Sequence, residues 1–253
     1  MEQNWLLLAA VPIVGFVAGF INTLAGSGSL ITLPILILLG LPANVANGTN
    51  RVGVLLQNVV AVATFRNRGA LPVRGTWGLV IPSVLGAIVG AELAVDLDEA
   101  LLRRTIGALM LVMLVVMLVD PNRWLVEQAT GARARAWIRW PLFFAIGAYG
   151  GFIQAGVGIF LLAGLVLGAG YNVVGANAVK NLIVLIFTAA ALAVFVLNDQ
   201  VRWGIGMLLA LGQGAGAWLA AHMAIKHGAA FVRWAVIAIV LLSAVALLVD
   251  GGG

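Results

Sequence analysis

An all-α polytopic membrane protein made of two homologous repeats is the fold the sequence predicts, and three observations carry the prediction. Apolar residues make up 63% and charged residues only 9% of the 253 residues, with a mean hydropathy of +1.12, so polar surface is far too scarce to cover a water-soluble globule. Apolar runs of membrane-crossing length recur along the whole chain. Finally, GFINTLAGSGSLITLPILILLGLPANVANGTNR, Gly19 to Arg51, is echoed by GFIQAGVGIFLLAGLVLGAGYNVVGANAVK, Gly151 to Lys180, as an internal duplication would leave it.

The apolar runs fall near 5–22, 29–40, 45–65, 76–94 and 101–119, then near 138–155, 158–169, 173–197, 202–222 and 231–249. Eight of these can cross the hydrocarbon layer, which needs around 20 residues of helix for roughly 30 Å. The runs 29–40 and 158–169 hold 12 residues each, about 18 Å as helix. Each repeat is therefore predicted to contain four long transmembrane helices plus one short broken or re-entrant helix. The first run follows MEQNW, which lacks basic residues, and reads as a retained helix rather than a cleaved signal.

The ends of the halves match as well. Arg103 stands 17 residues before Asp120 and Arg233 stands 17 before Asp250, and the Gly86, Gly90 spacing is answered by Gly212, Gly214 and Gly216. Small residues so spaced let helix backbones approach closely, so packing is their expected role. The polar segment between Asp120 and Trp137 marks the boundary. The predicted units are 1–120, a linker 121–137, and 138–253. With five crossings per half, the loops 66–75, 120–139 and 223–233 share one side and carry nine basic residues, against Arg103, Arg104 and Arg202 opposite. With four crossings per half the split is eight to four, so the positive-inside rule leans towards five crossings and inverted repeats, with those loops cytoplasmic and both termini outside. Trp5, Trp77, Trp137, Trp140, Trp203 and Trp234 lie near run ends, as interfacial anchors do.

The duplicated stretches carry the chemistry. A helix broken within the membrane leaves backbone groups unpaired, which only protein or a water-filled cavity can satisfy. The breaks fall at Ala25-Gly26-Ser27-Gly28 and Ala155-Gly156-Val157-Gly158. If Gly28 and Gly158 open the short helices, their N–H groups and positive dipole ends can face an anion. Gly26, Gly28, Gly156 and Gly158 can take positive φ and leave room for an oxyanion, so Gly28→Ala and Gly158→Ala are expected to weaken binding at little cost to the fold. The alternative is that these glycines serve only tight crossings. Arg51 and Lys180 follow the Asn-rich turns Asn47-Gly48-Thr49-Asn50 and Asn177-Ala178-Val179, and no acidic residue stands near either. An intramembrane cation is a functional candidate by default, and with no acidic partner in sequence Arg51 and Lys180 are expected to bind an anionic substrate from the two halves; snorkelling to the interface is the alternative. Asn22, Ser27, Asn47, Asn50, Gln57 and Asn58, with Gln154, Asn177 and Asn181, supply neutral polar groups around them.

Other chemistries find little support. The chain has no cysteine, which excludes disulfides and thiolate ligands. His222 and His227 are five apart and miss the i, i+4 face of a helical metal site, so neither a metal nor a cofactor is expected. Basic residues form no nucleic-acid stripe. Glu92 is the only acidic residue inside a long apolar run; it reads as a proton relay or, beside Asp96, Asp98 and Glu99, as an interfacial residue.

GFINTLAGSGSLITLPIL, NGTNRVGVLLQN, the Ala-Leu-Pro after Arg68, GGFIQAGVGIFLLAGLVLG and NAVKNLIVLIF together resemble the TauE/SafE family of membrane transporters, over about residues 8–249. The resemblance implies a secondary transporter, not an enzyme, exporting a small anion across a bacterial inner membrane. Sulfite or an organosulfonate such as sulfoacetate is the implied cargo. A passive anion channel of the same architecture is the alternative, because channels also use basic, amide-lined sites. The partners foreseen are the anion and the lipid bilayer, with a proton or sodium gradient as candidate driving force, a homodimer as candidate assembly, and no nucleic acid.

Overall fold

The computed structural model describes residues 5–72, 75–118 and 135–250, and all regular structure among them is helical. The first half comprises α1 (Trp5–Ala25), α2 (Ser29–Leu38), α3 (Ala43–Asn67), α4 (Trp77–Asp96) and α5 (Glu99–Leu118). The second comprises α6 (Ala136–Phe152), α7 (Val157–Ala163), α8 (Val173–Leu197) and α9 (Trp203–Asp250). Gly228, at φ 71° and ψ −161°, breaks α9, and α7 runs on as a wide π turn, Gly164–Gly168. By length and composition three described helices can cross a membrane, Trp77–Asp96, Val173–Leu197 and Trp203–Gly228. The other long helix of the centre, α3, has 25 residues but carries seven polar ones, from Asn44 through Asn58, which dilute its hydropathy. The predicted linker 121–137 lies outside the described residues except at 135–137.

The two short helices form where the sequence places them. At 10 residues, α2 is about 15 Å long, half a bilayer. Gly40, at φ +86°, ends it, and Gly170, at φ +73°, ends the α7 segment. Next, Pro42 (ψ 148°) starts α3, whereas α8 starts at Asn172, whose Oδ1 accepts the Gly175 N–H at 2.7 Å.

Helix pairing crosses between the halves. The first helix of each half packs on the fourth of the other, α1 on α9 and α6 on α4. Glycines permit both contacts: a Cβ at Gly212 or Gly216 would collide with the Pro12 or Phe16 carbonyl of α1, and one at Gly86 or Gly90 with the Phe144 or Ala148 carbonyl of α6. Gly15 and Gly19 on α1, and Gly147 and Gly151 on α6, answer them from the facing side. Packing is thus their role, by close van der Waals approach where lipid offers no hydrophobic drive. Helices α3 and α8 lie side by side and run antiparallel. The segment after α8 meets the start of α3, where the Arg202 N–H donates to Thr49 Oγ1 at 2.9 Å. The segment after α3 meets the start of α8, where the Thr76 and Tyr171 hydroxyls are 3.4 Å apart.

One expectation is corrected here. Asn47 to Arg51 and Asn177 to Lys180 are not turns but lie in the second and third turns of α3 and α8. Asn47, Arg51 and Lys180 donate to backbone carbonyls of distant helices, which local sequence does not reveal. Of the six tryptophans read as anchors, the four whose side chains are described, Trp77, Trp137, Trp140 and Trp203, are exposed on the outside of the bundle, as that role requires.

Candidate functional site

The two Ala-Gly-x-Gly turns touch at the centre of the molecule. Gly26 (φ +79°) and Gly156 (φ +72°) occupy the left-handed region that favours glycine. Gly28 does not, lying at φ −58° and ψ −30°. The Gly158 N–H donates to the Gly26 carbonyl at 3.3 Å, and a Cβ on either glycine would collide with the backbone of the other. A Cβ on Gly28 would strike the Ala18 carbonyl and Asn22 Cβ. The expectation that alanine at Gly28 or Gly158 costs the fold little is therefore wrong: backbone, not open space, stands where the methyl would go. The Gly28 N–H is likewise engaged, by Asn22 Oδ1 at 3.3 Å.

Both cations are fully buried in the protein, Arg51 at 0% and Lys180 at 1% exposure. Each reaches across to carbonyls at the end of the first helix of the other half. Lys180 Nζ donates to the Asn22 carbonyl at 3.2 Å and the Thr23 carbonyl at 2.7 Å, at the end of α1. Arg51 donates to the Gly150 carbonyl at 3.2 Å and to the Gly151 carbonyl, at the end of α6, with its guanidinium 4.6 Å from the Phe195 ring centre. A cation at a helix C-terminus meets both free carbonyls and the negative dipole end. The eighth and ninth residues of α3 are Asn50-Arg51, while those of α8 are Lys180-Asn181. Cation and amide have exchanged places between two helices of 25 residues each, so Arg51 stands four residues after Asn47 but Lys180 only three after Asn177.

Around the crossing lies a small cavity lined by Asn22, Gly26, Gln57, Asn58, Gln154, Val157, Gly158, Lys180, Asn181 and Val184, with about 10 Å³ of room for water centres. That is the space of roughly one water. Asn22 Nδ2 donates to Gln57 Oε1 at 3.0 Å, and Gln154 Nε2 to Thr188 Oγ1 at 2.6 Å. Asn58 and Asn181 each bond the carbonyl four residues back, Val54 at 2.7 Å and Asn177 at 2.8 Å. None of the lining residues is acidic.

Of the residues singled out from sequence, Asn22, Gly26, Gln57, Asn58, Gln154, Gly158, Lys180 and Asn181 meet at this cavity. Others support its walls: Asn47 Nδ2 holds the Phe152 carbonyl at 2.7 Å, and Asn50 ties α2 to α3 through Ser29 Oγ at 3.0 Å and Thr32 Oγ1 at 2.6 Å. Gly28, Gly156 and Arg51 shape the turns. Ser27 and Asn177 are buried beside them, the Ser27 hydroxyl and Asn177 Nδ2 without a partner in the protein. Sequence reasoning missed Thr23 and Thr188. The first lies inside the duplicated stretch and could have been found there; the second sits in an apolar run with no signal. Glu92 is exposed, and His222 and His227 bond carbonyls of their own helix. Among the described residues no cluster of metal-ligating side chains occurs.

Comparison with known proteins agrees in kind. A family model described as Sulfite exporter TauE/SafE matches residues 11–247. The "Probable membrane transporter protein ORF9" of Sinorhizobium sp is 29% identical over 96% of this chain and 93% of its own length. A "Probable membrane transporter protein" of Haemophilus influenzae is 29% identical, over 97% of this chain and 96% of its own. The "Probable membrane transporter protein YfcA" of Escherichia coli K12 is 26% identical, over 98% and 92%. No solved structure matches.

Proposed function

This chain belongs to the sulfite exporter TauE/SafE family of multi-pass cell-membrane transporters, and on that premise we propose that it is a secondary carrier exporting a small anion across the bacterial inner membrane. Sulfite comes first as cargo and an organosulfonate such as sulfoacetate second. The observation that carries this reading is Lys180: a buried ammonium at a cavity whose lining residues include no carboxylate. Burying an uncompensated charge costs several kcal/mol, and a bound anion offsets that cost. The family's printed name supports sulfite.

The units 1–120 and 138–253 are taken as inverted repeats. Antiparallel α3 and α8, the exchanged pairs α1 with α9 and α6 with α4, and the reciprocal reach of Arg51 and Lys180 all support that reading. Transporters of this kind place their site where broken helices meet. Asn22, Gly26, Gln57, Asn58, Gln154, Gly158, Lys180 and Asn181 would contact the cargo, while Ser27, Gly28, Asn47, Asn50, Arg51, Gly156 and Asn177 hold the turns in register. With room for a single water, the cavity must widen before the cargo can enter, as alternating access requires. Uptake into proteoliposomes of sulfite, sulfonates, sulfate and carboxylates under imposed proton or sodium gradients tests the proposal. Saturable, gradient-driven sulfite or sulfonate flux is expected. Flux far above carrier turnover would mean a channel, and transport of none of these anions would end the proposal.

A further inference from the structure

Hydrogen-bond polarity at the cavity narrows the cargo further, on the premise that it is an anion site. Amide orientations there are fixed by backbone groups whose role admits no choice. The Gly28 N–H must meet Asn22 Oδ1, so Asn22 Nδ2 faces Gln57 and takes its Oε1, leaving Gln57 Nε2 as a donor with no partner in the protein. The Val54 and Asn177 carbonyls can only accept, so Asn58 and Asn181 present Nδ2 to them, and both Oδ1 atoms are left without a partner. All three side chains are 1% exposed and line the cavity. Lys180 has three N–H donors, of which Asn22 and Thr23 take two.

The cavity thus has a donor side, Lys180 and Gln57, and an acceptor side, Asn58 and Asn181. An oxyanion with acceptors only satisfies the first and sets its lone pairs against the second. We propose that the ligand is an anion carrying its own hydrogen-bond donor: an acid oxyanion such as hydrogen sulfite, or a sulfonate with a hydroxyl group. Sulfoacetate, whose carboxylate and sulfonate both only accept, fits less well. Charge alone would rank the dianion first beside Lys180; the amide oxygens reverse that order, because a buried acceptor left unpaired is costly.

Isothermal titration of the purified full chain with ethanesulfonate, 2-hydroxyethanesulfonate and sulfoacetate separates these effects. The hydroxyl-bearing anion is expected to bind about tenfold tighter than ethanesulfonate, about 1.4 kcal/mol, and tighter than sulfoacetate. Asn58→Leu and Asn181→Leu, combined, should bring the ratio of the two monoanions close to one. Equal affinity of the wild-type protein for both monoanions, or tightest binding of sulfoacetate, overturns the donor requirement while the anion site stands. Hydrogen sulfite is included as a fourth ligand, and binding of none of the four overturns the anion site itself.

Discussion

Lys180 combines two tasks that a substitution can separate. Its ammonium closes the carbonyls of Asn22 and Thr23 at the end of α1 and at the same time brings positive charge to the cavity. Lys180→Gln keeps an N–H donor of similar reach but removes the charge, so the fold should survive while anion transport falls to background. Arg51 differs: its guanidinium bonds two carbonyls and lies over Phe195, and it does not line the cavity. Hydrogen bonds to charged groups contribute about 1.5–3 kcal/mol each, so Arg51→Gln is expected to lower the melting temperature more than Lys180→Gln does. Thermal unfolding and uptake, measured on the same two purified variants, decide this. Normal transport by Lys180→Gln would remove it from the site. A larger melting shift in Lys180→Gln than in Arg51→Gln would reverse the division of roles.

At the scale of elements, the broken helices meet through glycine backbones, and the cost of a methyl group there is a packing cost. Gly26→Ala and Gly158→Ala each place a carbon against the opposite turn, and overpacking of this kind costs about 1–3 kcal/mol. Both should lower thermal stability clearly. At Gly204, a helical position where a Cβ meets nothing within 4 Å, alanine should hold or slightly raise the melting temperature. A drop at Gly204 equal to that at Gly158 would show that the contact between turns is not what matters. The short helices themselves were legible in sequence, because an apolar run of half-bilayer length after a glycine pair has few other readings. The Asn-rich segments were misread as turns because their hydrogen-bond partners lie about a hundred residues away: Asn47 finds Phe152, and Arg51 finds Gly150 and Gly151. A helix that buries Asn and Arg looks like a loop until the carbonyls at the end of another helix are brought against it.

For the molecule as a whole, sequence reading proposes two repeats but does not reveal how the two halves engage. The exchange of α1 onto α9 and α6 onto α4 depends on glycines read only as generic packing residues, and no local pattern names their partner. Orientation follows from the antiparallel course of α3 and α8. If the halves are inverted, the segment after α3 and the segment after α8 open on opposite sides of the membrane. Excess basic residues then put the first in the cytoplasm: Arg66 and Arg68 flank it and are exposed, whereas Arg202 is the only basic residue close to the second. The chain has no cysteine of its own, so Ala70→Cys and Asn198→Cys report without background. An impermeant maleimide applied to intact cells is expected to label Asn198→Cys, and Ala70→Cys only after the membrane is opened. Labelling of Ala70→Cys alone from outside would keep the inversion and flip the molecule. Labelling of both from one side would mean that α3 and α8 do not cross in opposite directions, and the inverted-repeat architecture would fall with that result.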